Sequence, residues 1–387
     1  MIDPIEHQEK FARIFGIQPT LLASGPGRVN LIGEHTDYSG GFVLPAAIER
    51  RVLLAAGPAA SGTTRLFSVR HDEFHTQHAA APPKPGSWPS YFLTVEDQFR
   101  RRGLTPPALD VLIDGDVPLG AGLSSSAAYG VAAAVLYDEL LGTALNPTQL
   151  ALLAQAAENG PLIGMRCGIM DQFISANGQE GKAVLLDCHN LDSRVVEFAR
   201  PSPLILVINS MKQRGLVESA YNERRTQCEE ALAIFREHSP EKPETLRHVT
   251  VEQFARHGHR LSPLQRQRVR HNLTENARVL AFATAVETGD WSAAGKLLYD
   301  SHESLRDDYQ VSCPELDAIV AEARTTPGVY GCRMTGAGFG GCCVALVEQH
   351  AIGDLQERLA RNYTPRFHLE PQVLVTRPSR GAEVTVL

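Results

Sequence analysis

The segment of residues 117–128, VPLGAGLSSSAA, constrains the fold of this chain more than any other part of its sequence. A predicted strand ends at Ile113, the glycines let the backbone approach a ligand closely, and three serines begin an alanine-rich helix. Unpaired N–H groups and the positive end of the helix dipole would then face one point, which favours a phosphate group. The residues of this predicted phosphate loop are Gly120, Ala121, Gly122, Leu123, Ser124, Ser125 and Ser126.

The serine hydroxyls of this loop also have the chemistry to contact Mg²⁺, as serine and threonine do in P-loops. The chain contains no GxxxxGK[ST] motif, so a nucleotide site built on this loop would not be of the Walker type. The alternative interpretation is a serine-capped helix after a flexible loop.

A second glycine-rich segment covers residues 25–38, GPGRVNLIGEHTDY. The glycines on either side of a proline predict a tight turn. The polar side chains that follow are Arg28, Glu34, His35 and Asp37. A core strand could not satisfy so many hydrogen-bonding groups, and this composition suits a polyhydroxyl ligand. The alternative is a capped turn with solvated charges.

A third glycine-rich segment covers residues 334–341, MTGAGFGG, and matches the dinucleotide-binding pattern GxGxxG by spacing. That pattern should begin a helix, whereas the following residues 342–347, CCVALV, are typical of a strand. Too little chain remains after it for a Rossmann fold. The segment therefore predicts a strand–loop–strand unit, and an NAD-dependent dehydrogenase is disfavoured.

Two carboxylates lie in apolar surroundings between the segments VPLGAGLSSSAA and MTGAGFGG. Glu158 ends a predicted helix of apolar character, and Asp171 lies in the segment CGIMDQF. An unpaired buried carboxylate is costly, so both are expected to have a cation partner. The alternatives are a solvated helix end for Glu158 and a helix N-cap for Asp171.

Length and composition limit the possible classes of protein. A chain of 387 residues predicts two or three compact units, and its formal net charge of −7 offers no footprint for nucleic acid. The longest β-rich apolar run, residues 204–208, is too short to cross a membrane, and the charged N-terminus is unlike a signal peptide. Seven cysteines without a CxxC pair indicate reduced thiols. We expect a soluble, cytoplasmic protein.

Hydrophobic periodicity and turn residues predict how strands and helices follow one another. Strands are predicted near residues 51–55, 108–113, 183–187, 204–209, 329–334, 342–347 and 372–376. Helices are predicted over residues 146–158, 218–237, 263–287 and 291–305. Because strands and helices do not alternate strictly, a mixed α/β or α+β fold is expected rather than a doubly wound sheet. A domain boundary is predicted near residues 199–203.

The motifs in this order resemble those of the galactokinases in the GHMP small-molecule kinase superfamily. The matching segments are GRVNLIGEHTDY, PLGAGLSSSAA, CGIMDQ and MTGAGFGG, together with YNERR at residues 221–225 and VRHNLTEN at residues 269–276. The resemblance extends over nearly the whole chain and is specific to galactokinases within the superfamily.

This resemblance implies an α+β protein of two domains with the active site in the cleft between them. Residues 1–200 would form an N-terminal domain like domain 2 of ribosomal protein S5, which binds the sugar and the ATP phosphates. Residues 201–387 would form a ferredoxin-like GHMP kinase domain. The protein would be a monomer that binds a small sugar and ATP.

The resemblance also implies ATP-dependent phosphorylation of the anomeric hydroxyl of α-D-galactose, giving galactose 1-phosphate and ADP. Asp171 would be the base, and Arg28 would stabilise charge on the transferring phosphoryl group. Ser126 and Glu158 would hold Mg²⁺, Gly120–Ser126 would surround the ATP phosphates, and Ser68 would contact the nucleotide. The sugar ligands would be Glu34, His35, Asp37, Gly168 and Tyr221.

Two departures from the family pattern bear on these roles. One extra residue lies between Glu158 and CGIMDQ, which questions Glu158 as a metal ligand. Ala337 replaces a common glycine and would be strained if its φ were positive. The alternative functions are an N-acetylgalactosamine 1-kinase and a galactokinase-like sensor without turnover. Sensors of that kind lack residues of the serine-rich loop, whereas Ser126 and Ala127 are present here.

Overall fold

The computed structural model describes residues 2–77, 82–118, 120–212 and 217–387. The strands are β1 (Leu21–Asn30), β2 (Phe42–Val43), β3 (Pro45–Pro58), β4 (Arg65–Ser68), β5 (Glu73–Thr76), β6 (Leu109–Gly115), β7 (Lys182–Asp187), β8 (Ser193–Glu197), β9 (Leu204–Asn209), β10 (Val329–Thr335), β11 (Cys342–Val347), β12 (Gln372–Thr376) and β13 (Glu383–Val386).

The helices are α1 (Pro4–Phe15), α2 (Trp88–Arg101), α3 (Ser125–Leu141), α4 (Pro147–Glu158), α5 (Met170–Asn177), α6 (Val217–His238), α7 (Val251–His257), α8 (Pro263–Thr288), α9 (Trp291–Ser304), α10 (Pro314–Arg324), α11 (Ala351–Arg358) and α12 (Thr364–Phe367). Short helical turns cover Asp37–Ser39, Leu246–His248, Gly258–Arg260, Leu305–Tyr309 and Leu359–Tyr363. The predicted strands and helices are confirmed, and the limits of β9 and β12 agree residue for residue. None of the helices described here is long and apolar enough to cross a membrane.

Within the described residues the strands form three sheets, in the orders β13-β1-β3-β6-β4-β5, β10-β11-β9-β12 and β2-β7-β8. Neighbouring strands are antiparallel except β4 and β6, which run parallel. The motif with GxGxxG spacing joins β10 to β11, which confirms the predicted strand–loop–strand unit.

The predicted tight turn at residues 25–28 is wrong, because these residues lie inside β1, which bulges between Pro26 and Arg28. A Cβ atom on Gly25 would lie 2.2 Å from the carbonyl oxygen of Ala128 in α3. A Cβ atom on Gly27 would lie 2.8 Å from the carbonyl oxygen of Leu123. The glycines therefore let the phosphate loop and α3 lie directly on the strand, a common reason for glycine within a strand.

Local sequence explains where the helices beside the site begin and end. In α4 the side chain of Asn146 accepts from the amide of Gln149, whose own side chain accepts from the Asn146 amide, a capping box. A proline follows the cap in the first turn, and the helix ends at Glu158. Alanines in α3 are buried against β1, so this helix packs closely on the sheet.

Two large apolar clusters form the core. The first contains side chains of β1, β3 and β6 with α2, α3 and α4, and the second contains side chains of β9–β11 with α6 and α10. Helix α8 contributes to both, through Phe282 to the first and Val269 to the second. The last strand, β13, returns to pair with β1. The domain boundary near residues 199–203 remains a prediction. Residues on both sides of it contribute to the apolar clusters.

Candidate active site

A cavity of about 280 Å³ lies where β1, α3, α4 and α5 meet the loop after β10. The predicted site residues that line it are Arg28, Glu34, His35, Asp37, Gly120, Gly122, Leu123, Ser124, Ser125, Ser126, Glu158, Gly168, Asp171 and Tyr221. Ala121 belongs to the same loop but is buried, and Ser68 lines a neighbouring cavity. Folding thus brings residues from the three glycine-rich segments, from CGIMDQ and from YNERR to one place.

Arg28 and Asp171 form a bidentate ion pair at the base of this cavity. Arg28 lies in β1 and is 4% exposed, and Asp171 lies in the first turn of α5. Arg28 Nε donates to Asp171 Oδ1 at 2.7 Å, and Nη2 donates to Oδ2 at 2.8 Å. The third nitrogen, Nη1, donates to the carbonyl of Gly122 in the phosphate loop. The expected cation partner of Asp171 is therefore confirmed, and its two hydrogen bonds fix the carboxylate plane.

Ser124 contacts Asp171 rather than capping the helix. Its φ of 57° is left-handed, a rare conformation for a residue with a side chain, and its hydroxyl donates to Asp171 Oδ2. The side chain makes no capping hydrogen bond to α3, so the serine-cap alternative is wrong for this residue. Strained residues of this kind cluster at functional sites. No sequence pattern indicated this contact.

Glu158 lies at the end of α4 and is buried beside the serine loop. Its Oε2 accepts from Gln172 Nε2 at 2.6 Å, and it also hydrogen-bonds with Ser126. Burial raises the pKa of Glu158 to about 7, and the charge of Asp171 adds to the rise. The hydrogen bond from Ser126 opposes that rise. Among the described side chains no arginine or lysine pairs directly with Glu158, so its expected cation is not a side chain of this part of the chain.

The donor atoms around Glu158 fit a magnesium ion. A carboxylate and a serine hydroxyl are the hard oxygen ligands that Mg²⁺ prefers. The amide oxygen of Gln172 is also buried and has no hydrogen-bond partner among the described residues. The extra residue before Cys167 lies in the loop after α4, which is closed by a 3.1 Å hydrogen bond from the Cys167 amide to Asn159 Oδ1. Glu158 therefore remains beside Ser126 despite the insertion.

Asp37 and Gly168 form a tightly packed wall of the cavity. A Cβ atom on Gly168 would lie 2.0 Å from Asp37 Oδ2, so only glycine fits there. Burial raises the pKa of Asp37 to about 7, and the charge of Asp171 raises it further. The Asp37 carboxylate faces the same cavity as Asp171, as expected of a residue that receives hydrogen bonds from a ligand.

His35 uses both ring nitrogens within the protein. Its Nε2 lies 3.2 Å from the carbonyl oxygen of Ala337, which can only accept, so Nε2 carries the hydrogen. Its Nδ1 then accepts from the hydroxyl of Tyr38 at 2.9 Å. Burial lowers the pKa of His35 to about 3, so the ring is neutral. Tyr221 packs against this ring with centroids 5.4 Å apart. Because both nitrogens have protein partners, His35 shapes the cavity through the surface of its ring.

Glu34 joins the segment of residues 25–38 to the segment of residues 334–341. Its Oε1 accepts from the Gly336 amide at 2.6 Å and from the Thr335 hydroxyl at 2.9 Å. Arg333, which is fully buried, places Nη2 2.9 Å from the same oxygen. The next residue, Ala337, does not have a positive φ. Its methyl group therefore causes no strain.

A second cavity of about 470 Å³ adjoins the first along Tyr91, Ser125 and Ser126. Ser68 lines it, as do the rings of His71 and Trp88, which lie nearly parallel with centroids 6.2 Å apart. These two rings were missed from the sequence because they belong to no motif. A cavity lined by these two rings suits a flat, partly apolar ligand group next to the phosphate loop.

Three family models match parts of this chain, and the matched ranges contain most of the residues that line the first cavity. Residues 9–58 match the galactokinase galactose-binding signature. Residues 90–179 match the N-terminal domain of GHMP kinases, and residues 282–365 match their C-terminal domain. The matched regions contain β1 and its following turn, the phosphate loop with Asp171, and the loop between β10 and β11.

Individual relatives agree with these matches. A galactokinase from Roseiflexus sp. (strain RS-1) is 42% identical over 382 residues, 98% of this chain and 97% of that protein. The crystal structure of Lactococcus lactis galactokinase complexed with galactose superposes with a TM-score of 0.92 and 32% identity, covering 99% of both chains.

Methanococcus jannaschii mevalonate kinase shares the fold, with a TM-score of 0.65 and 17% identity over 93% of this chain and 98% of that one. The two-domain GHMP kinase fold expected from the sequence is therefore confirmed. With 42% identity over almost its whole length and all three family signatures in order, the chain belongs to the galactokinase family of GHMP kinases.

Proposed function

We propose that this protein transfers the γ-phosphoryl group of ATP to the anomeric hydroxyl of α-D-galactose, giving galactose 1-phosphate and ADP. The observation that carries the proposal is the ion pair of Arg28 and Asp171, held between the phosphate loop and the Asp37 wall. Similarity to proteins named galactokinase, one of them with galactose bound, supports this choice of substrate.

In the proposed reaction Asp171 acts as the base. It accepts the proton of the anomeric hydroxyl while the sugar oxygen forms a bond to the γ-phosphorus, and the bond from that phosphorus to the β-phosphate oxygen breaks to release ADP. Arg28 holds the carboxylate in place and lies close enough to offset negative charge that develops on the transferring group. Phosphoryl transfer asks a protein mainly for such positioning and charge stabilisation.

The ATP phosphates are assigned to the phosphate loop, Gly120–Ser126. The amide groups at the start of α3 and the helix dipole favour negative charge there. The nucleoside would occupy the second cavity, with its base near the rings of His71 and Trp88 and with Ser68 as a further contact. The two cavities share Ser125 and Ser126, which is where the two substrates would meet.

Ser126 and Glu158 are the residues that would hold Mg²⁺. When bound, the ion would neutralise charge on the ATP phosphates. The raised pKa of Glu158 supports this role, because a buried carboxylate that binds its proton tightly in the free protein gains most from a cation.

The sugar is assigned to Asp37, Gly168, Tyr221, His35 and Glu34. Asp37 would accept hydrogen bonds from sugar hydroxyls, and the close packing of Gly168 would hold the Asp37 carboxylate in place. Tyr221 and His35 would close the side of the cavity with their rings. Glu34 already accepts hydrogen bonds from several protein groups. It would act mainly by holding residues 334–341 against residues 25–38.

The same reasoning assigns different roles in the cavity to residues 1–200 and to residues 201–387. Arg28, Asp171 and the phosphate loop all lie in the first part, whereas Tyr221 and Gly336 reach the cavity from the second. We further propose that the protein acts as a monomer in the cytoplasm.

An assay of ADP release with galactose, N-acetylgalactosamine, glucose and mevalonate tests the proposal. Turnover with galactose well above the others, with a phosphorus NMR signal for an α-1-phosphate, is expected. Preference for N-acetylgalactosamine would indicate a related sugar 1-kinase instead. Binding of galactose and ATP without ADP release would indicate a sensor.

A further inference from the structure

A group of two histidines and one glutamate lies on the surface away from the active site. His189 follows β7, Glu244 precedes the short helical turn Leu246–His248, and His248 is the last residue of that turn. His189 Nε2 lies 3.6 Å from Glu244 Oε2, and the rings of His189 and His248 are perpendicular with centroids 4.6 Å apart. One ligand atom from each of the three residues lies within 4.8 Å of the others.

The two backbone segments that carry these side chains are held together by the protein itself. Arg247 forms an ion pair with Asp187, and the same carboxylate oxygen accepts from the amide of His189 at 3.0 Å. Thr245 Oγ1 lies 3.3 Å from His248 Nδ1, which leaves the other nitrogen of that ring for a ligand. A partner on the second nitrogen is typical of histidines that bind metals. The positive charge of Arg247 is offset by Asp187, so it does not repel a cation nearby.

We propose that His189, Glu244 and His248 bind a divalent cation of the zinc class. Two imidazoles and a carboxylate, with a water molecule completing a tetrahedron, form a common donor set for Zn²⁺. Bonds of the usual length in a tetrahedron separate neighbouring ligand atoms by about 3.4 Å. The separation between His189 and Glu244 is already close to this value, and all three side chains are exposed enough for the remaining adjustment. Mg²⁺ prefers oxygen ligands and is not expected here.

The ion would join two segments that support the turn carrying Asp37. The amide of Cys188 donates to the carbonyl of Gly41 at 3.0 Å, on the side of His189. On the side of His248, Thr245 packs against Gly40, where a Cβ atom would lie 2.9 Å from the threonine hydroxyl. The cation would therefore link both supports of this turn and raise the stability of the folded protein.

Cys188 is the nearest competing ligand, because it precedes His189 in the chain. The Cys188 side chain packs against the apolar cluster that contains Val43, Ile169 and Leu186, and its sulfur does not lie within 4.8 Å of all three proposed ligand atoms. The ion is therefore assigned to the two histidines and Glu244 and not to the thiol.

Calorimetric titration of the full chain with ZnCl₂, in buffer containing excess Mg²⁺, tests this site. The wild-type protein is expected to bind one zinc ion, and His189→Gln and His248→Gln are expected to weaken binding at least about tenfold. Cys188→Ser should bind as the wild type does. His238→Gln, which alters a partly exposed histidine outside the group, is the matched control.

Thermal unfolding gives a second readout that does not depend on catalysis. Saturating zinc should raise the melting temperature of the wild-type and His238→Gln proteins and leave that of His248→Gln unchanged. Absence of stoichiometric zinc binding by the wild type would overturn the proposal. So would His189→Gln and His248→Gln variants that bind zinc like the wild type, or loss of binding in Cys188→Ser alone.

Discussion

Arg28 donates two parallel hydrogen bonds to Asp171, although 143 residues separate them in the chain. The pair joins the middle of β1 to the first turn of α5, and the third guanidinium nitrogen joins both to the phosphate loop. Because planar groups with two hydrogen bonds have little freedom to rotate, the carboxylate has a fixed orientation before substrate arrives.

Gly168→Ala is expected to impair sugar binding. The new methyl group would overlap Asp37 Oδ2 and push the carboxylate away, while the backbone of residue 168 tolerates alanine because its φ is not positive. Misplacement of a positioning group by about 1 Å can cost about 10²-fold in efficiency, so we expect kcat/KM for galactose to fall by that order. The KM for ATP should stay within about twofold.

Gly353→Ala is the matched control, since it adds a methyl group in open space on the exposed side of α11. Steady-state kinetics of both variants decide the matter. Unchanged galactose kinetics in Gly168→Ala would contradict the assignment of Asp37 and Gly168 to the sugar site.

Glu158→Gln is expected to change how stability depends on pH in Mg²⁺-free buffer. The pKa of Glu158 is about 7 in the folded protein against an ordinary value of 4.5, so the folded state binds the proton more tightly. The contribution of Glu158 to wild-type stability is therefore greatest below pH 4.5 and is lost as the pH rises through 7. Glutamine removes this loss, which corresponds to about 3 kcal/mol. Urea unfolding at pH 5 and pH 8 should show the variant gaining on the wild type at the higher pH.

The same variant tests the metal assignment. Loss of a charged oxygen ligand should raise the Mg²⁺ concentration needed for half-maximal rate, measured by ADP release at fixed ATP. Identical Mg²⁺ dependence in Glu158→Gln and the wild type would mean that Glu158 is a buried structural carboxylate only.

Ser124→Gly is expected to lower activity with little net change in stability. Glycine adopts the left-handed backbone at residue 124 without strain, and this gain of about 1 kcal/mol is offset by the loss of the hydrogen bond to Asp171 and by the greater freedom of glycine in the unfolded chain. The variant also loses the hydroxyl that donates to Asp171, so kcat should fall while the KM for galactose changes little. Urea unfolding combined with kinetics measures both effects. A variant of unchanged kcat would show that this hydrogen bond has no part in positioning Asp171.

Local patterns in the sequence predicted seven of the thirteen strands described here and the helices α3, α4, α6, α8 and α9, because apolar runs and caps act over a few residues. The segment at residues 25–28 misled for a physical reason. Glycine and proline there reflect the approach of α3 to β1, a contact between parts of the chain about a hundred residues apart. A single sequence does not distinguish this use of glycine from a turn.

The candidate site shows the same limit. Motifs identified the residues that line the first cavity, but not how they pair with one another. Both nitrogens of His35 are occupied by Tyr38 and Ala337, which became apparent only from the fold. The rings of His71 and Trp88 meet through tertiary packing and follow no spacing rule.

Asp171→Asn tests the central claim most directly. Asparagine nearly preserves the size of the side chain and still accepts a hydrogen bond, but it cannot take the proton of the sugar hydroxyl. Galactose and ATP binding, measured by calorimetry, should stay close to those of the wild type. Asp300→Asn, at an exposed ion pair with Lys296, is the matched control and should behave as the wild type does in every respect.

The decisive measurement is the single-turnover rate of Asp171→Asn with saturating galactose, ATP and Mg²⁺. If Asp171 is the base, the rate should fall by at least about 10²-fold with binding intact. A rate within about tenfold of the wild type, again with binding intact, would contradict the account and leave Arg28 and the phosphate loop as the groups that carry catalysis.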